Sequence, residues 1–262
     1  MGLFLLLAPG ILAAGASVNT QIPSRQPPVA VFKPGEKHEI EVTYLGIPGL
    51  NVVLELMPLT DVNGRRSYHA QGRVATSAVV GLFYRVNDTV DSWFDYEGIF
   101  SHKLKLVQDE SKIQRTSVET YDFAKGETQF TNKWKKTDGT SNDSDQKFAI
   151  PQFVQDSLSA AYFLRTLPLE KDATFKIPVV SEGNLIRVLV TVADLRPIEY
   201  DHKRVDAYLI RLSKLDADGK VMPGPENTVY ISADARRKIL GFNVWSRFGQ
   251  VRATLKSYVE GS

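Results

Sequence analysis

The sequence predicts a mainly β protein: a single, large, strongly curved antiparallel sheet wrapped around one central α-helix. Three observations lead to this prediction. Apolar and polar residues alternate with a period of two along most of the chain, turn residues recur at short intervals, and only one segment has helical spacing. Twist accumulates across a sheet of about fourteen antiparallel strands and makes it curl, so we expect an open barrel or a β-spiral.

The N-terminus resembles a cleaved signal peptide. An apolar run ends in Ala14-Gly15-Ala16, which matches the small-residue cleavage pattern. The run is shorter than the about 20 residues that span a bilayer, and no Lys or Arg precedes Arg25. A buried N-terminal segment is the alternative. We predict a signal peptide at 1–16, export to the periplasm, and no transmembrane span in the mature chain; association with the outer membrane is left open.

A proline-containing leader and one domain follow. The leader, residues 17–35, holds four prolines, which fix φ and remove backbone donors, so it is predicted to be a linker or an edge cover. Alternation begins at Glu36, where Ile40 and Val42 are separated by charged or polar residues. Residues 36–262 are therefore predicted to form a single curved β domain.

Turn signals separate the predicted strands of this domain. Asn63-Gly64 ends one strand, and Lys125-Gly126 joins two alternating segments in an evident hairpin. Five further strands are predicted in the last third, at 185–193, 204–213, 228–232, 238–246 and 251–258.

One segment departs from this pattern and predicts a helix near 152–166. Val154, Leu158 and Tyr162 recur at helical spacing, and Pro168 prevents continuation. Because the helix is apolar in a chain of strands, we expect it to pack on the concave face of the sheet.

Composition excludes several classes of function. The chain has no cysteine, which excludes disulfides and thiolate sites, and its formal net charge is only +2, with basic residues scattered among acids. Nucleic-acid binding is therefore not expected. The four histidines form no close pair, so we expect strand-end or surface positions, and no cofactor or metal is predicted.

Two groups of acidic residues were weighed as sites. Asp138, Asn142, Asp143 and Asp145 suit calcium by residue type, but the closing glutamate is missing, and a solvated hairpin loop is favoured. Asp95 and its i+2 neighbour Glu97 fall on one face of a strand that we expect to be exposed, which needs no catalytic explanation. No nucleophile elbow or phosphate loop is present, so no catalytic residue is predicted.

Five residues are candidates for ligand binding: Tyr162, Arg165, Asp234, Arg236 and Arg237. An arginine near the mouth of a curled sheet could hold a carboxylate or phosphate headgroup bidentately. The favoured alternative is structural, with Asp234 accepting hydrogen bonds from Arg236 or Arg237 in a tight turn, and with Tyr162 packing in the core.

Four motifs, taken in order, carry a resemblance to a known family. They are residues 32–36 (Phe-Lys-Pro-Gly-Glu) leading into 44–48, residues 93–98 (Trp-Phe-Asp-Tyr-Glu-Gly), the segment 154–169, and residues 229–237. Together they resemble the exported bacterial proteins catalogued as domain of unknown function 3108, over about residues 32–258. The last motif is similar to the family's Trp/Tyr-Leu-Ser-Asp-Asp-Ala-Arg-Arg signature, but Ala233 stands where many relatives have an acidic residue.

The resemblance implies an envelope protein and names no reaction. Its architecture is similar to the half-barrels of the LolA, LolB and RseB group, which bind lipid or lipoprotein acyl chains, although function does not follow from fold. We expect a periplasmic binding or scaffolding protein that holds a lipid, acyl chain or extended peptide in its concave face. Its partners would be a lipid, a lipoprotein or an envelope protein. The alternatives are a filled-core interaction module and, less favoured, a carboxylate-based hydrolase; an enzyme is not expected.

Overall fold

The alternation in the sequence appears as alternating burial along the strands of a computed structural model, which describes residues 31–246 and 249–262. In β1, Ile40 and Val42 are buried, whereas the neighbouring Glu39 and Glu41 are partly exposed. Side chains of a strand point alternately to its two faces, so one face of the sheet is apolar and encloses the core.

The described residues contain two helices and fifteen strands. The helices are α1 (Ala78–Gly81) and α2 (Ser159–Thr166). The strands are β1 (Lys37–Tyr44), β2 (Ile47–Val62), β3 (Arg65–Thr76), β4 (Asn87–Asp95), β5 (Ser101–Glu110), β6 (Ile113–Asp122), β7 (Glu127–Lys136), β8 (Ser141–Ala149), β9 (Gln155–Asp156), β10 (Thr174–Ser181), β11 (Asn184–Tyr200), β12 (Lys203–Leu215), β13 (Asn227–Ser232), β14 (Ile239–Ser246) and β15 (Gly249–Val259).

All fifteen strands belong to one sheet, in the order β8-β7-β6-β5-β4-β3-β2-β1-β15-β14-β13-β12-β11-β10-β9. Every pairing is antiparallel except the short parallel pairing of β9 with β10. The strand β1 pairs with both β2 and β15, which joins the first and last described strands in the middle of the sheet. The predicted mainly β fold with one large antiparallel sheet is confirmed, and within the described residues β8 and β9 are its two edges.

Side chains connect the two edge regions where backbone pairing stops. The turn between β10 and β11 packs on β6, β7 and β8: the Gly183 carbonyl accepts a hydrogen bond from Gln146 Nε2 at 2.8 Å, and the Gly183 N–H donates to Glu119 Oε1 at 3.3 Å. Gly183 has φ +69°, and an added Cβ would lie 2.5 Å from the Phe130 ring. Glycine is therefore required here both by backbone conformation and by the close approach.

The helix is shorter than the sequence predicts. α2 begins at Ser159 rather than near residue 152, so the predicted start was wrong. Asp156 caps the helix: its Oδ1 accepts hydrogen bonds from the N–H groups of Leu158 and Ser159 at 2.8 and 2.7 Å. Upstream of the cap, the segment pairs with β10 as β9, and Phe153 takes a positive φ of 58°.

Three further expectations are corrected. Asn142, Asp143 and Asp145 lie in β8, an edge strand, and not in a hairpin loop. Asp95 is buried at the end of β4 rather than exposed on a strand face. His38 and His102 lie at the starts of β1 and β5, in the strand-end positions expected for the histidines, but the alternative of a surface position is wrong for them because both are buried.

The core lies between α2 and the concave face of the sheet. Phe32 packs edge-to-face on Tyr162 of α2 and on Tyr68 of β3, each with ring centroids 5.1 Å apart. Residue 32 belongs to the predicted leader, so the last part of that leader contributes to the core. The aromatic cluster fixes α2 against β3 and β4 on one side.

Candidate functional site

α2 borders an apolar cavity of about 240 Å³. On the helix side, Ala160 and Ala161 leave space between the helix and the sheet because their side chains end at Cβ. On the sheet side, side chains of β10 to β14 and of β2 form the opposite wall. The space exists because small residues on the helix face a strongly curved part of the sheet.

The lining is almost entirely aliphatic. It consists of Val52, Leu54, Ser157, Leu158, Ala160, Ala161, Leu164, Ile177, Val179, Ser181, Val188, Val190, Leu212, Ser213, Asn227, Val229, Ile239, Phe242 and Val244. None of these described residues carries a charge, and only three serines and Asn227 are polar. Such a surface can bind an apolar chain by burying it.

The cavity opens toward one end of the sheet. Along β14 the lining changes from buried at Ile239 to half-buried at Val244. The next residue, Trp245, is exposed, and its N–H donates a hydrogen bond of 3.0 Å to Asn227 Oδ1. Part of the cavity mouth therefore lies beside Trp245, at the start of β13 and the end of β14, where two of the polar lining residues, Ser213 and Asn227, are found.

The opposite end of the helix is held by a buried ion pair. Arg165 donates from Nη1 and Nη2 to the two carboxylate oxygens of Glu36 at 2.6 and 2.7 Å, and both side chains are at most 1% exposed. The hydroxyl of Tyr258 also donates to Glu36 Oε2 at 3.0 Å. Burial and the positive charges of Arg165 and Lys238 lower the pKa of the neighbouring His38 well below its usual range.

Main-chain carbonyls accept further hydrogen bonds from the Arg165 guanidinium. Its Nε donates to the Arg237 carbonyl at 2.8 Å and its Nη2 to the Arg236 carbonyl at 3.0 Å. The contact is reciprocal: Arg237 donates from Nη1 to the carbonyls of Arg165 and Leu167 at the end of α2. We name this set of contacts, made by Glu36, Arg165, Arg237 and Tyr258, the polar latch.

Asp234 shapes the turn that carries Arg236 and Arg237. Its Oδ1 accepts hydrogen bonds from the backbone N–H groups of Arg236 and Arg237 at 3.1 and 3.2 Å, and from the Ser232 hydroxyl at 2.8 Å. Burial would raise the pKa of Asp234, but these bonds and Lys238 outweigh it and lower the pKa. The turn uses backbone donors rather than the arginine side chains.

The structure thus brings all five predicted ligand residues into one region, where Arg165 contacts both Tyr162 and the turn that carries the other three. Tyr162 and Arg165 are buried, whereas Asp234 and Arg236 are exposed, and Arg236 pairs with Glu260 at 2.5 Å. The cavity is lined by other residues, on the other face of α2. A ligand role for the five stays a prediction.

Asp156 was ambiguous between a structural and a ligand role in the sequence, which did not reveal the second buried polar cluster around it. Its Oδ2 accepts hydrogen bonds from the hydroxyls of Ser92 and Ser101, both at 2.7 Å. Nearby, Glu119 accepts from the Tyr121 hydroxyl at 2.8 Å, and burial raises the pKa of Glu119 to about 7. Burial also raises the pKa of Asp156. Apart from Asp156, which lies in the motif 154–169, no motif in the sequence marks these residues, because Ser92, Ser101 and Glu119 are distant from Asp156 along the chain.

Asp95, another buried acid, also has hydrogen-bond partners. Asp95 accepts hydrogen bonds from Arg65 at 2.6 Å and from the Gly98 N–H at 2.6 Å, with His102 at 3.3 Å. Burial would raise the pKa of Asp95, but these partners outweigh it and hold the pKa far below the usual range. Within 31–246 and 249–262, no three His, Asp or Glu side chains cluster as a metal site.

Neither described helix has the length and apolar character that crossing a membrane requires. In fold, the chain is similar to a β-barrel-like protein of the DUF1849 family from Brucella abortus. The similarity has a TM-score of 0.54 at 11% identity and covers 88% of this chain and 100% of that one. A Bacteroides fragilis protein with a YmcC-like fold gives a TM-score of 0.37 at 7% identity, with the same coverage of 88% and 100%.

Among curated proteins, none matches this chain. The family profile described as "Protein of unknown function (DUF3108)" matches residues 39–256, which is most of the chain and every strand from β2 to β14. The resemblance carried by the four sequence motifs is therefore confirmed. The chain belongs to the DUF3108 family.

Proposed function

We propose that the chain is an exported binding protein of the cell envelope, not an enzyme, and that it holds one acyl chain of a lipid or lipoprotein in the cavity beside α2. The observation that carries this proposal is the cavity of about 240 Å³ whose described lining has no charged side chain. An engineered apolar cavity of about 150 Å³ already binds benzene.

The energetics set a minimum length for the bound chain. Each buried methylene contributes about 0.8 kcal/mol, whereas association costs at least about 4 kcal/mol. Fewer than about five methylenes would therefore give no net binding. Beyond that length, affinity should rise about fourfold for each added methylene until the cavity is filled.

The position of the polar groups supports an acyl chain with a polar end. Ser213 and Asn227 lie on the side of the cavity where exposure increases, so a headgroup at the mouth would meet them and water. Leu54 and Leu158, which line the buried part of the cavity, carry hydrocarbon side chains and suit the hydrocarbon end of the ligand.

The test is a chain-length series. Delipidated protein is titrated with saturated fatty acids of about six to about sixteen carbons, and affinity is measured by calorimetry and native mass spectrometry. The Ala161→Phe variant places a ring in the cavity and should weaken binding of the longest ligand at least about tenfold. The matched control is Ala75→Phe, on the exposed face of β3, which should bind like the wild type.

Failure of all chain lengths to bind would overturn the proposal and favour the alternative of a filled-core docking module. Equal weakening by both phenylalanine variants would show that the loss comes from general destabilisation and not from this cavity.

A further inference from the structure

Large apolar side chains project into solvent from three turns at one end of the sheet. Leu45 and Ile47 lie at the β1–β2 turn, Val79, Leu82 and Phe83 lie in and after α1, and Trp245 precedes the β14–β15 turn. Leu82 and Phe83 are 82% and 86% exposed, and Leu45 is 75% exposed. We call these six residues the apolar rim.

The three turns are neighbours in space. The Ser77 N–H, at the start of α1, donates to the Gly49 carbonyl at 2.9 Å, which ties the α1 segment to β2. In the pairing of β1 with β15, Tyr44 lies opposite Val251, and in the pairing of β14 with β15, Val251 lies opposite Val244. The rim is therefore one continuous feature and not a set of scattered exposed side chains, which would need no explanation.

Charge is distributed unequally around the rim. The sequence segments 43–50, 76–84 and 243–252 contain no Asp or Glu. Arg85 follows the second segment and Arg252 ends the third; Arg85 pairs with Asp109 at 2.6 Å, and Arg252 is exposed on β15 beside Thr43. The charge of Arg85 is balanced by Asp109, but an apolar surface whose own segments hold no acid, with the exposed Arg252 at its base, complements the anionic surface of a phospholipid bilayer.

We propose that the apolar rim docks this protein on an anionic lipid bilayer, with Leu82, Phe83 and Trp245 entering the interfacial region. Phe83 after α1 and Trp245 near the end of β14 suit that region, because their rings enter the acyl boundary while the backbone stays among headgroups. Three projecting turns form an uneven surface, which a fluid bilayer accommodates without the shape complementarity that a second copy of the chain would need.

The rim also adjoins the cavity mouth. Val244 lines the cavity and its neighbour Trp245 belongs to the rim, so a docked protein would present the mouth to the bilayer. The docking inference goes beyond the proposed acyl-chain function and does not depend on it, since a rim can bind a membrane whatever the cavity holds.

The test is co-sedimentation with vesicles of phosphatidylethanolamine containing about one quarter phosphatidylglycerol, compared with vesicles of phosphatidylcholine. The wild type should bind the anionic vesicles more tightly than the neutral ones. The double variant Leu82→Ser with Phe83→Ser should bind the anionic vesicles at least about tenfold more weakly. The matched control, Leu195→Ser with Val259→Ser, removes two exposed apolar residues away from the rim and should bind like the wild type.

Three outcomes would overturn the inference: no binding of the wild type to anionic vesicles, equal loss in the rim and control variants, or a wild-type dimer that the rim variant abolishes without any vesicle binding. Because the rim side chains are exposed, both double variants should unfold at the wild-type denaturant midpoint. Fatty-acid titration of the rim variant without vesicles keeps the two proposals separate, since it should match the wild type even if docking is lost.

Discussion

The two faces of α2 meet the surrounding sheet in different ways. On one face, Ala160 and Ala161 border the apolar cavity. On the other face, Arg165 is buried in the polar latch and donates four hydrogen bonds to Glu36 and to two backbone carbonyls. The same eight-residue helix is thus held by hydrogen bonds on one side, and on the other side the cavity separates it from the sheet.

This difference explains how a cavity can persist beside a short helix. A cavity forfeits packing contacts, and apolar walls gain free energy when they close on each other. Hydrogen bonds of fixed geometry resist that collapse, because moving α2 toward β13 would break the pairing of Arg165 with Glu36. The Asp156 cap restrains the other end of the helix in the same manner, through Ser92 and Ser101.

The largest expected effect comes from breaking the polar latch. Arg165→Met leaves the Glu36 carboxylate buried without its cation and should lower the free energy of unfolding by about 3–5 kcal/mol, measured by urea denaturation. Adding Glu36→Gln to this variant removes the unpaired charge and should restore part of the lost free energy of unfolding.

The control for the latch is Lys133→Met, which removes an exposed ion pair of 2.8 Å with Asp143. Such surface pairs contribute at most about 1 kcal/mol. A loss at Arg165 no larger than the loss at Lys133 would contradict the role given to the latch.

A smaller effect is expected from Glu119, which connects β6 to the β10–β11 turn. The folded-state pKa of Glu119 is raised from 4.5 to about 7 by burial, so the folded protein holds this proton more tightly than the unfolded chain. Its contribution to stability is fully present below about pH 4.5 and is lost as the pH rises to about 7, by about 3 kcal/mol. Glu119→Gln should abolish that loss.

The measurement is urea denaturation of wild type and Glu119→Gln at about pH 4.5 and about pH 7.5. The free energy of unfolding of Glu119→Gln should increase relative to that of the wild type as the pH rises. The exposed Glu170 provides the control, and Glu170→Gln should follow the wild type at both pH values. A difference between Glu119→Gln and wild type that is independent of pH would refute the assignment.

These contrasts also show what the sequence could predict. Alternation such as Ile40 and Val42 between polar neighbours is a local property, so the strands and the single curved sheet were predictable. The strand β8 was missed because it is a polar edge strand exposed on both faces, which gives no alternation. The helix start was missed because the cap at Asp156 depends on Ser92 and Ser101, which are far away in sequence.

The sequence predicted a concave face for a ligand, but the size of the cavity was not predictable, for a different reason. The pair Ala160-Ala161 indicates close approach of backbones, and the sequence alone gives no distance between the helix and the facing strands. Arg165 was identified as a functional candidate, but its partner Glu36 is 129 residues away, so pattern alone could not distinguish a latch from a headgroup site.

The last comparison makes the same alanine-to-leucine substitution at two sites, one in the packed core and one beside the cavity. Ala70 of β3 is fully buried in close packing, so Ala70→Leu should force neighbouring side chains apart and cost about 1–3 kcal/mol. Ala161→Leu adds the same atoms to the cavity and should change the free energy of unfolding by less than about 1 kcal/mol, because the space accepts them. Urea denaturation of the two variants measures this difference directly. Equal costs at the two alanines would mean that the wall at Ala161 is packed as tightly as the wall at Ala70, and the acyl-chain proposal would lose its physical basis.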